Sequence, residues 1–416
     1  MEYAWENPTK LYVGLESMTK LFDTIEEKKV LLLFGGGSIR RNGAWEDVHA
    51  LAEERGIEIV QKGNVRANPI YSFVKEATEI VLESGAEAIL AVGGGSVLDT
   101  AKAIVVDVQL SREGVEGKDV WDCYLGELPV PGASEHTMPI YACDYMTATG
   151  SGMNTNSVLQ RKIEGSSDEK KCFLGNASLY PKALAINPKY MTTLSPYHVA
   201  SIAFDGFTHI SEYLLLQMQN KDKAIPRAGR FYLTSLQKSL FDSLDRLVNP
   251  EGLSEEEVLS TYASLGWAAT QALNFSVYPG DGAVQSWIVH MIGHCMSGIH
   301  NEERGFMTHA QSLIIVFRAA VHLFRNIYGD EGFVEWGKLL FGDYIKTVDE
   351  FLEAFYAKVK TTPMKTRISE YFDGETPENY IKTVLDKYYD YFPGNFGTDV
   401  EHPTRAEMET ALSMCL

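Results

Sequence analysis

Residues 88–104 read AILAVGGGSVLDTAKAI: an apolar run, three glycines and a serine, and then a segment of helical character. A short apolar run that ends in a glycine-rich turn is typical of a buried strand followed by a helix. A second unit of this kind, LLLFGGGSIRRNG, occupies residues 31–43. Two strand–turn–helix units in one region predict an α/β fold built on a mostly parallel sheet.

Strand-like and helix-like segments alternate around these two turns, up to the apolar run ALAIN at 183–187. From about residue 194 onward the apolar residues recur at helical spacing in long segments, which predicts helices only. Turns such as YPGDG at 278–282 separate these segments. We therefore expect an α/β domain over residues 1–190 and an all-helical domain over residues 191–416.

The composition is that of a folded globular protein, with 45% hydrophobic and 22% charged residues among 416. A net charge of −19 disfavours nucleic acid and anionic membrane surfaces as partners. The five cysteines lie far apart and form no CxxC pair, which is typical of reduced thiols. No signal peptide or membrane-spanning apolar run is recognisable, so we expect a cytoplasmic protein.

The two glycine-rich turns suit the binding of phosphate. Glycine lets the backbone approach an anion closely, and the helix that follows offers free N–H groups at its positive end. Neither turn matches GxGxxG, because Arg40 and Leu98 stand at the last glycine position, and no Walker motif occurs. One such turn is weak evidence, but two in one α/β region predict a dinucleotide that contacts both.

The first turn also indicates which nicotinamide coenzyme is used. Enzymes that select NAD commonly place an acid against the ribose 2′-hydroxyl, whereas a 2′-phosphate needs donors and positive charge. In this chain Arg40 and Arg41 follow the turn, and no acid occurs before Glu46. The sequence therefore favours NADP(H).

Four of the ten histidines lie in WIVHMIGHCMSGIHNEERGFMTH, residues 287–309. His290 and His294 are four residues apart and share one face of a predicted helix. The zinc-protease pattern HExxH is absent because Met291 stands at the position of the general base. A metal-dependent hydrolase is thereby disfavoured.

Asp205 and His209, in FDGFTHISEYL, form a second pair with the same spacing on another predicted helix. Two such pairs on neighbouring helices can offer three nitrogens and one carboxylate oxygen to a divalent metal such as Fe(II) or Zn(II). A single histidine is more often a core residue that satisfies a polar position. The concentration of histidines in this region favours a metal site instead.

These motifs, taken together and in this order, resemble the iron-containing (group III) alcohol dehydrogenases, in particular their NADPH-dependent butanol dehydrogenase and aldehyde reductase branch. The resemblance covers nearly the whole chain and rests on GGGSIRRNG, AVGGGSVLDTAKAI, TATGSGMN, DGFTHISEY, HMIGH and THAQSL. It implies a two-domain fold like that of dehydroquinate synthase. It also implies hydride transfer between NADP(H) and a primary alcohol or aldehyde, and a homodimer formed through N-terminal strands.

The resemblance further implies roles for single residues. It assigns the metal, Fe(II) before Zn(II), to Asp205, His209, His290 and His309, and it assigns proton relay to His294. The residues that it assigns to the cofactor are Gly36, Gly37, Ser38, Gly93, Gly94, Gly95, Ser96, Asp99, Thr149, Lys170 and Lys171.

The sequence departs from the family pattern in three places. Arg304 stands where the last ligand histidine is expected, and His309 follows only after an insertion in NEERGFM, so that His300 stays an alternative ligand. Gly152 stands where the family commonly has glutamate. The spacing near the two lysines is shifted by a single residue, which leaves open which of them contacts the cofactor.

Three other classes of function are alternatives to this one. A polyol or glycerol dehydrogenase, or a lyase in the manner of dehydroquinate synthase, would use the same fold. A synthase acting on an acidic substrate needs several basic residues, whereas FDGFTH and WIVHMIGHCM are apolar. A non-catalytic metal-binding protein would bind no nicotinamide. We therefore predict an alcohol dehydrogenase or aldehyde reductase, with residues 1–190 binding the dinucleotide and residues 191–416 holding the metal.

Overall fold

The computed structural model describes residues 6–217, 227–274, 285–374, 376, 378–392 and 403–416. Internal contacts divide the chain into two compact units. The sheet unit comprises Glu6–Leu194 and Pro250–Asn274, and the helical unit comprises the described residues within 195–249 and 285–416. The predicted turn at 278–282 lies outside the described residues.

Strands dominate the first half of the chain and helices the second. The strands are β1 Lys10–Val13, β2 Lys29–Phe34, β3 Glu58–Lys62, β4 Ala88–Gly94, β5 Ile140–Met146, β6 Asn156–Lys162, β7 Glu169–Gly175, β8 Ala183–Ile186, β9 His300–Asn301 and β10 Gly305–Phe306. The helices are α1 Ser17–Phe22, α2 Ser38–Arg41, α3 Ala44–Arg55, α4 Tyr71–Ser84, α5 Gly95–Arg112, α6 Val120–Tyr124, α7 Pro188–Met191, α8 Pro196–Gln217, α9 Arg227–Val248, α10 Glu255–Gln271, α11 Ile288–Ser297, α12 His309–Tyr328, α13 Glu331–Phe341, α14 Val348–Val359, α15 Ile368–Tyr371, α16 Tyr380–Tyr391 and α17 Arg405–Ser413.

The sheet unit is built on six strands in the order β1-β8-β5-β4-β2-β3, and every pairing among them is parallel. Strands of such a sheet are covered on both faces and therefore read as continuous apolar runs. Residues Ala88–Val92 of β4 and Val30–Leu33 of β2 fit this rule, since all of them are completely buried. The predicted α/β region with a parallel sheet is confirmed.

The strand order reverses beside β2. The chain runs from β2 to β3 on one side and then crosses to β4 on the other side. In open parallel sheets, ligands bind outside the carboxyl ends of the strands at such a reversal. The two glycine-rich turns follow β2 and β4, so both lie at this edge of the sheet.

Two further elements of the sheet unit lie beside the six-stranded sheet. Strands β6 and β7 form a separate antiparallel hairpin. Helix α10 belongs to this unit too, and Leu273, just after it, accepts a hydrogen bond from Asn154 of the loop after β5 at 3.3 Å. The predicted domain boundary between residues 190 and 191 stays a prediction.

The helical unit is organised around an aromatic core. Phe207 of α8 stacks on Phe241 and Phe355, with ring centroids 5.1 and 4.8 Å apart. Every residue from Val199 to Leu216 is buried, which makes α8 a central helix, apolar all round apart from a few polar side chains. The short β9–β10 hairpin interrupts the otherwise helical unit.

No helix in the described part of the chain is long and apolar enough to cross a membrane.

Candidate metal site and cofactor-binding turns

Three of the predicted ligands converge in the helical unit. Asp205 and His209 lie one turn apart on α8, and His290 lies in the first turn of α11. Their ligand atoms all lie within 4.8 Å of one another, and the side chains are at most 4% exposed. Asp205 Oδ1 is 3.6 Å from His209 Nδ1 and 3.7 Å from His290 Nε2. These distances are too long for good hydrogen bonds.

The residues present fit a divalent metal ion. His209 Nδ1 and His290 Nε2 are buried, and neither has a hydrogen-bond partner within the described ranges. Leaving such a nitrogen unsatisfied costs about 1–3 kcal/mol, so an arrangement with two of them calls for a further group. Imidazole nitrogens with a carboxylate oxygen are suitable donors for Fe(II) or Zn(II).

The pKa values of the two histidines are shifted in opposite directions. Burial, together with the neighbouring His290, holds the pKa of His209 well below its usual value, so that its imidazole is neutral. Burial also lowers the pKa of His290, but the carboxylates of Asp205 and Glu212 outweigh burial and raise that pKa overall. A proton on His290 therefore competes with a metal ion.

Glu212 belongs to this site and was missed in the sequence. It lies seven residues after Asp205 on α8, its side chain is completely buried, and its Oε1 is 2.8 Å from His290 Nδ1. The available signal was an acid in the apolar segment FDGFTHISEYL, three residues beyond a predicted ligand. Buried carboxylates are rarely found without a partner.

The other three histidines of residues 287–309 lie either near the candidate metal site or on the β9–β10 hairpin. His309 begins α12, and its Nε2 is 4.0 Å from Asp205 Oδ1. The His294 ring, one turn beyond His290, is 5.0 Å from the His309 ring. His300 lies on β9 against Phe306 and lines a separate cavity of about 240 Å³. These positions support His309 rather than His300 as fourth ligand, and that assignment stays a prediction.

In the sheet unit, the second glycine-rich turn is packed tightly against the loop after β5. A Cβ atom on Gly95 would lie 2.1 Å from Thr149 Oγ1, and a Cβ on Gly94 would lie 2.8 Å from the Cβ of Met146. Glycine is therefore required at both positions. The packing brings Thr149 beside the N-terminus of α5, the end at which a phosphate would be held.

Asp99 and Lys102 hold this loop in place from α5. Asp99 is buried and accepts hydrogen bonds from Ser151 Oγ at 2.7 Å and from the Val158 N–H at 3.2 Å. Burial raises the pKa of Asp99 to about 6. Lys102, completely buried, donates to oxygens of Ser151, Asn154 and Asn156. Lys102 was not singled out in the sequence, and the predicted contact of Asp99 with a cofactor stays a prediction.

The first glycine-rich turn is more open. Gly36 and Gly37 are exposed, and Ser38 Oγ is 3.0 Å from the Tyr145 hydroxyl oxygen. The Arg40 guanidinium stacks 3.6 Å above the Trp45 ring. The turn thus leaves its backbone accessible, and Ser38 and Arg40 are donors within or close after it in the chain.

The two lysines and Gly152 complete the predicted set. Lys170 and Lys171 lie on β7, where Lys171 is buried and donates to Asn68 Oδ1 at 3.2 Å. A Cβ on Gly152 would lie 2.6 Å from Leu184 Cδ2. The glutamate that the family commonly carries at this position does not fit in this space, which gives that departure a packing reason.

Comparison with known proteins agrees with this geometry. Residues 8–188 match the family described as iron-containing alcohol dehydrogenase. The chain is 30% identical over 315 residues to the NADPH-dependent aldehyde reductase YqhD of Escherichia coli, covering 75% of this chain and 73% of that protein. It is 26% identical over 347 residues to NADH-dependent butanol dehydrogenase B of Clostridium acetobutylicum, covering 82% and 80%.

A solved structure extends the likeness to the whole fold. The NADH-dependent butanol dehydrogenase A of Thermotoga maritima superposes with a TM-score of 0.82 at 26% identity, covering 100% of this chain and 98% of that one. The sequence relatives, the shared fold and the buried ligand group lead to one conclusion. The chain belongs to the iron-containing alcohol dehydrogenase family.

Proposed function

We propose that the protein is a metal-dependent alcohol dehydrogenase or aldehyde reductase that transfers hydride between NADP(H) and a primary alcohol or aldehyde. The observation that carries the proposal is the buried group of Asp205, His209 and His290, two of whose nitrogens lack a hydrogen-bond partner in the part of the chain described. The names of the relatives, an aldehyde reductase and butanol dehydrogenases, support this substrate class.

In this proposal Asp205, His209, His290 and His309 hold a divalent ion, Fe(II) first and Zn(II) as the alternative. When bound, the ion polarises the carbonyl group and the nicotinamide supplies or accepts the hydride. The neutral state of His209, caused by its burial, keeps a lone pair available for the ion. His209 can therefore contribute a donor atom without first losing a proton.

His294 is proposed to carry the proton. Reduction of an aldehyde leaves a negative charge on oxygen, and an imidazole at hydrogen-bonding distance can neutralise it. His294 lies one turn from His290, its ring is 5.0 Å from that of His309, and it is 6% exposed. A nearly buried imidazole delivers its proton to a reacting group rather than to bulk water.

The coenzyme is proposed to bind along the carboxyl edge of the sheet. The N-terminus of α5 and the turn Gly93–Ser96 take the pyrophosphate, and Thr149 and the lysines of β7 add donors. The open turn Gly36–Ser38, with Arg40 behind it, takes the 2′-phosphate. The names of the relatives include both NADPH and NADH, so the case for NADP(H) rests on these residues.

We further propose a cytoplasmic homodimer that associates through β1. This strand is the edge of the sheet, and Val13 and Leu15 are 41% and 55% exposed. An edge strand with apolar neighbours can pair with a second copy of itself. Sedimentation or light scattering would measure the mass in solution.

The proposal is tested with protein purified anaerobically and supplied with Fe(II) or Zn(II). We expect oxidation of NADPH in the presence of butanal, followed by absorbance, at a higher kcat/KM than with NADH. Removal of the metal with a chelator should abolish the activity, and metal analysis should find about one ion per chain. Full activity in the chelator-treated protein, or no binding of either coenzyme, would refute the proposal.

A further inference from the structure

We infer that Glu212 is a positioning residue of the metal site, which fixes the tautomer and the backbone of His290 at the same time. The inference rests on the proposed function, since it concerns the ligand set proposed there. It assigns to Glu212 no contact with metal, coenzyme or substrate. Its effect passes through His290.

Hydrogen bonds from His290 and Ser286 to Glu212 restrict the movement of all three residues. Its Oε1 accepts from His290 Nδ1 at 2.8 Å and from the His290 backbone N–H at 3.0 Å. Its Oε2 accepts from the Ser286 hydroxyl, and its backbone carbonyl accepts from the Ser286 N–H at 2.9 Å. The side chain of Glu212 is completely buried.

These contacts determine which nitrogen of His290 is free. A carboxylate only accepts hydrogen bonds, so the proton of a neutral imidazole must lie on Nδ1, which faces it. The lone pair is then on Nε2, the atom that lies 3.7 Å from Asp205 Oδ1. Partners of this kind orient a ligand histidine and raise its basicity.

The same carboxylate replaces a missing helix cap. His290 is the third residue of α11, so its N–H has no acceptor within the helix. The N-cap residue, Trp287, provides no side-chain hydrogen bond and has the left-handed φ of 54°. Glu212, reaching from α8, takes the place of the cap and therefore sets where α11 begins.

Charge gives a further reason for this arrangement. Asp205 and Glu212 are both buried, and a divalent ion at the ligand group balances the two carboxylates. Replacing Glu212 by glutamine keeps the shape but removes one negative charge, and the amide can turn its NH₂ group toward Nδ1. We therefore expect the glutamine variant to hold a mixture of His290 tautomers and to bind metal more weakly.

The test uses the full-length apoprotein without coenzyme or substrate, titrated with Co(II) and Zn(II). We expect Glu212→Gln and Glu212→Ala to bind about 10–100-fold more weakly than the wild type, with a changed Co(II) absorption spectrum. Glu335→Gln is the matched control, because Glu335 lies in the same unit, is half exposed and forms an ion pair with Arg230 at 3.3 Å. Its metal affinity should equal that of the wild type.

An unchanged affinity and spectrum in folded Glu212→Gln overturns the inference. If both Glu212 variants fail to fold, the ¹⁵N resonances of His290 in the wild-type apoprotein, at a pH above the pKa of His290, decide: a proton on Nδ1 supports the inference, and a proton on Nε2 overturns it. If the wild type binds neither ion, the proposed metal site itself fails. That outcome is distinct from a failure of Glu212 alone.

Discussion

Replacing Gly95 by alanine tests how closely the turn Gly93–Ser96, which is proposed to bind the pyrophosphate, packs against the loop that carries Thr149. The added Cβ would lie 2.1 Å from Thr149 Oγ1 and 2.4 Å from its Cγ2, whereas atoms in contact keep about 3.5 Å. Either Thr149 or the first turn of α5 must therefore move by more than an ångström. Overpacking of this kind costs about 1–3 kcal/mol. For a unit of this size, Tm falls by about 2–4 °C for each kcal/mol.

The same displacement should weaken coenzyme binding. In the proposed binding mode the N–H groups at the start of α5 point at the phosphates. We therefore expect Kd for NADPH to rise at least about tenfold, or about 1.4 kcal/mol. Calorimetry measures Tm, and a fluorescence titration measures Kd. Gly132→Ala is the control, because nothing lies within 4 Å of its added Cβ and its φ is ordinary.

A second substitution separates this clash from other effects of alanine. Thr149→Gly removes the three Thr149 side-chain atoms nearest to the new Cβ. The double variant should therefore be less destabilised than the sum of the single variants. Wild-type Tm and Kd in Gly95→Ala would refute the close packing of the turn.

The other predictions concern the metal site and the coenzyme. His309→Ala should lower the Zn(II) affinity of the apoprotein at least about tenfold, whereas His300→Ala should leave that affinity unchanged. The reverse result in a Zn(II) titration would make His300 the ligand. Metal binding should weaken as the pH falls through the raised pKa of His290, because one proton must leave before the ion binds. Below that pKa, log Kd should change by about one for each pH unit. A Kd independent of pH in calorimetric titrations would contradict this. Arg40→Ala should raise KM for NADPH by about tenfold or more and leave KM for NADH unchanged. The reason is that a charged hydrogen bond to the 2′-phosphate, which NADH lacks, contributes about 1.5–3 kcal/mol. Equal effects on both coenzymes would place Arg40 away from the 2′-phosphate. Lys102→Met should destabilise the protein by about 3 kcal/mol or more in denaturant unfolding. It leaves buried oxygens of Ser151, Asn154 and Asn156 without their donor, and each such loss costs about 1–3 kcal/mol. A loss below about 1 kcal/mol would show that another donor replaces it.

The parallel sheet could be predicted because its signal is local. VLLLF and AILAV are continuous apolar runs, and their burial on both faces of β2 and β4 follows from that pattern. The placement of α10 could not be predicted in this way. Its spacing of apolar residues is helical whichever unit it packs in. Only its tertiary contacts, which include α7, β8 and the loop after β5, assign it to the sheet unit.

The ligand group could be predicted from the sequence only in part. The spacing of Asp205 and His209 places both on one helix face, but their approach to His290 depends on tertiary packing. Glu212 shows more clearly what the sequence cannot predict. An acid in an apolar helix has the same sequence pattern whether its side chain contacts an imidazole or reaches solvent. The orientation of its carboxylate toward His290 Nδ1 is a property of the folded core.

The donor set of the metal site also has a practical consequence for anyone who prepares this protein. One carboxylate and several imidazoles bind Ni(II) more tightly than Fe(II), according to the general order of affinities among first-row divalent metals. A histidine-tagged preparation eluted from nickel resin is therefore exposed to a competitor for the ion that the site is proposed to hold. The catalytic rate of that preparation would then depend on how much Ni(II) it had taken up during purification. A tag-free preparation is therefore better suited to kinetic measurements.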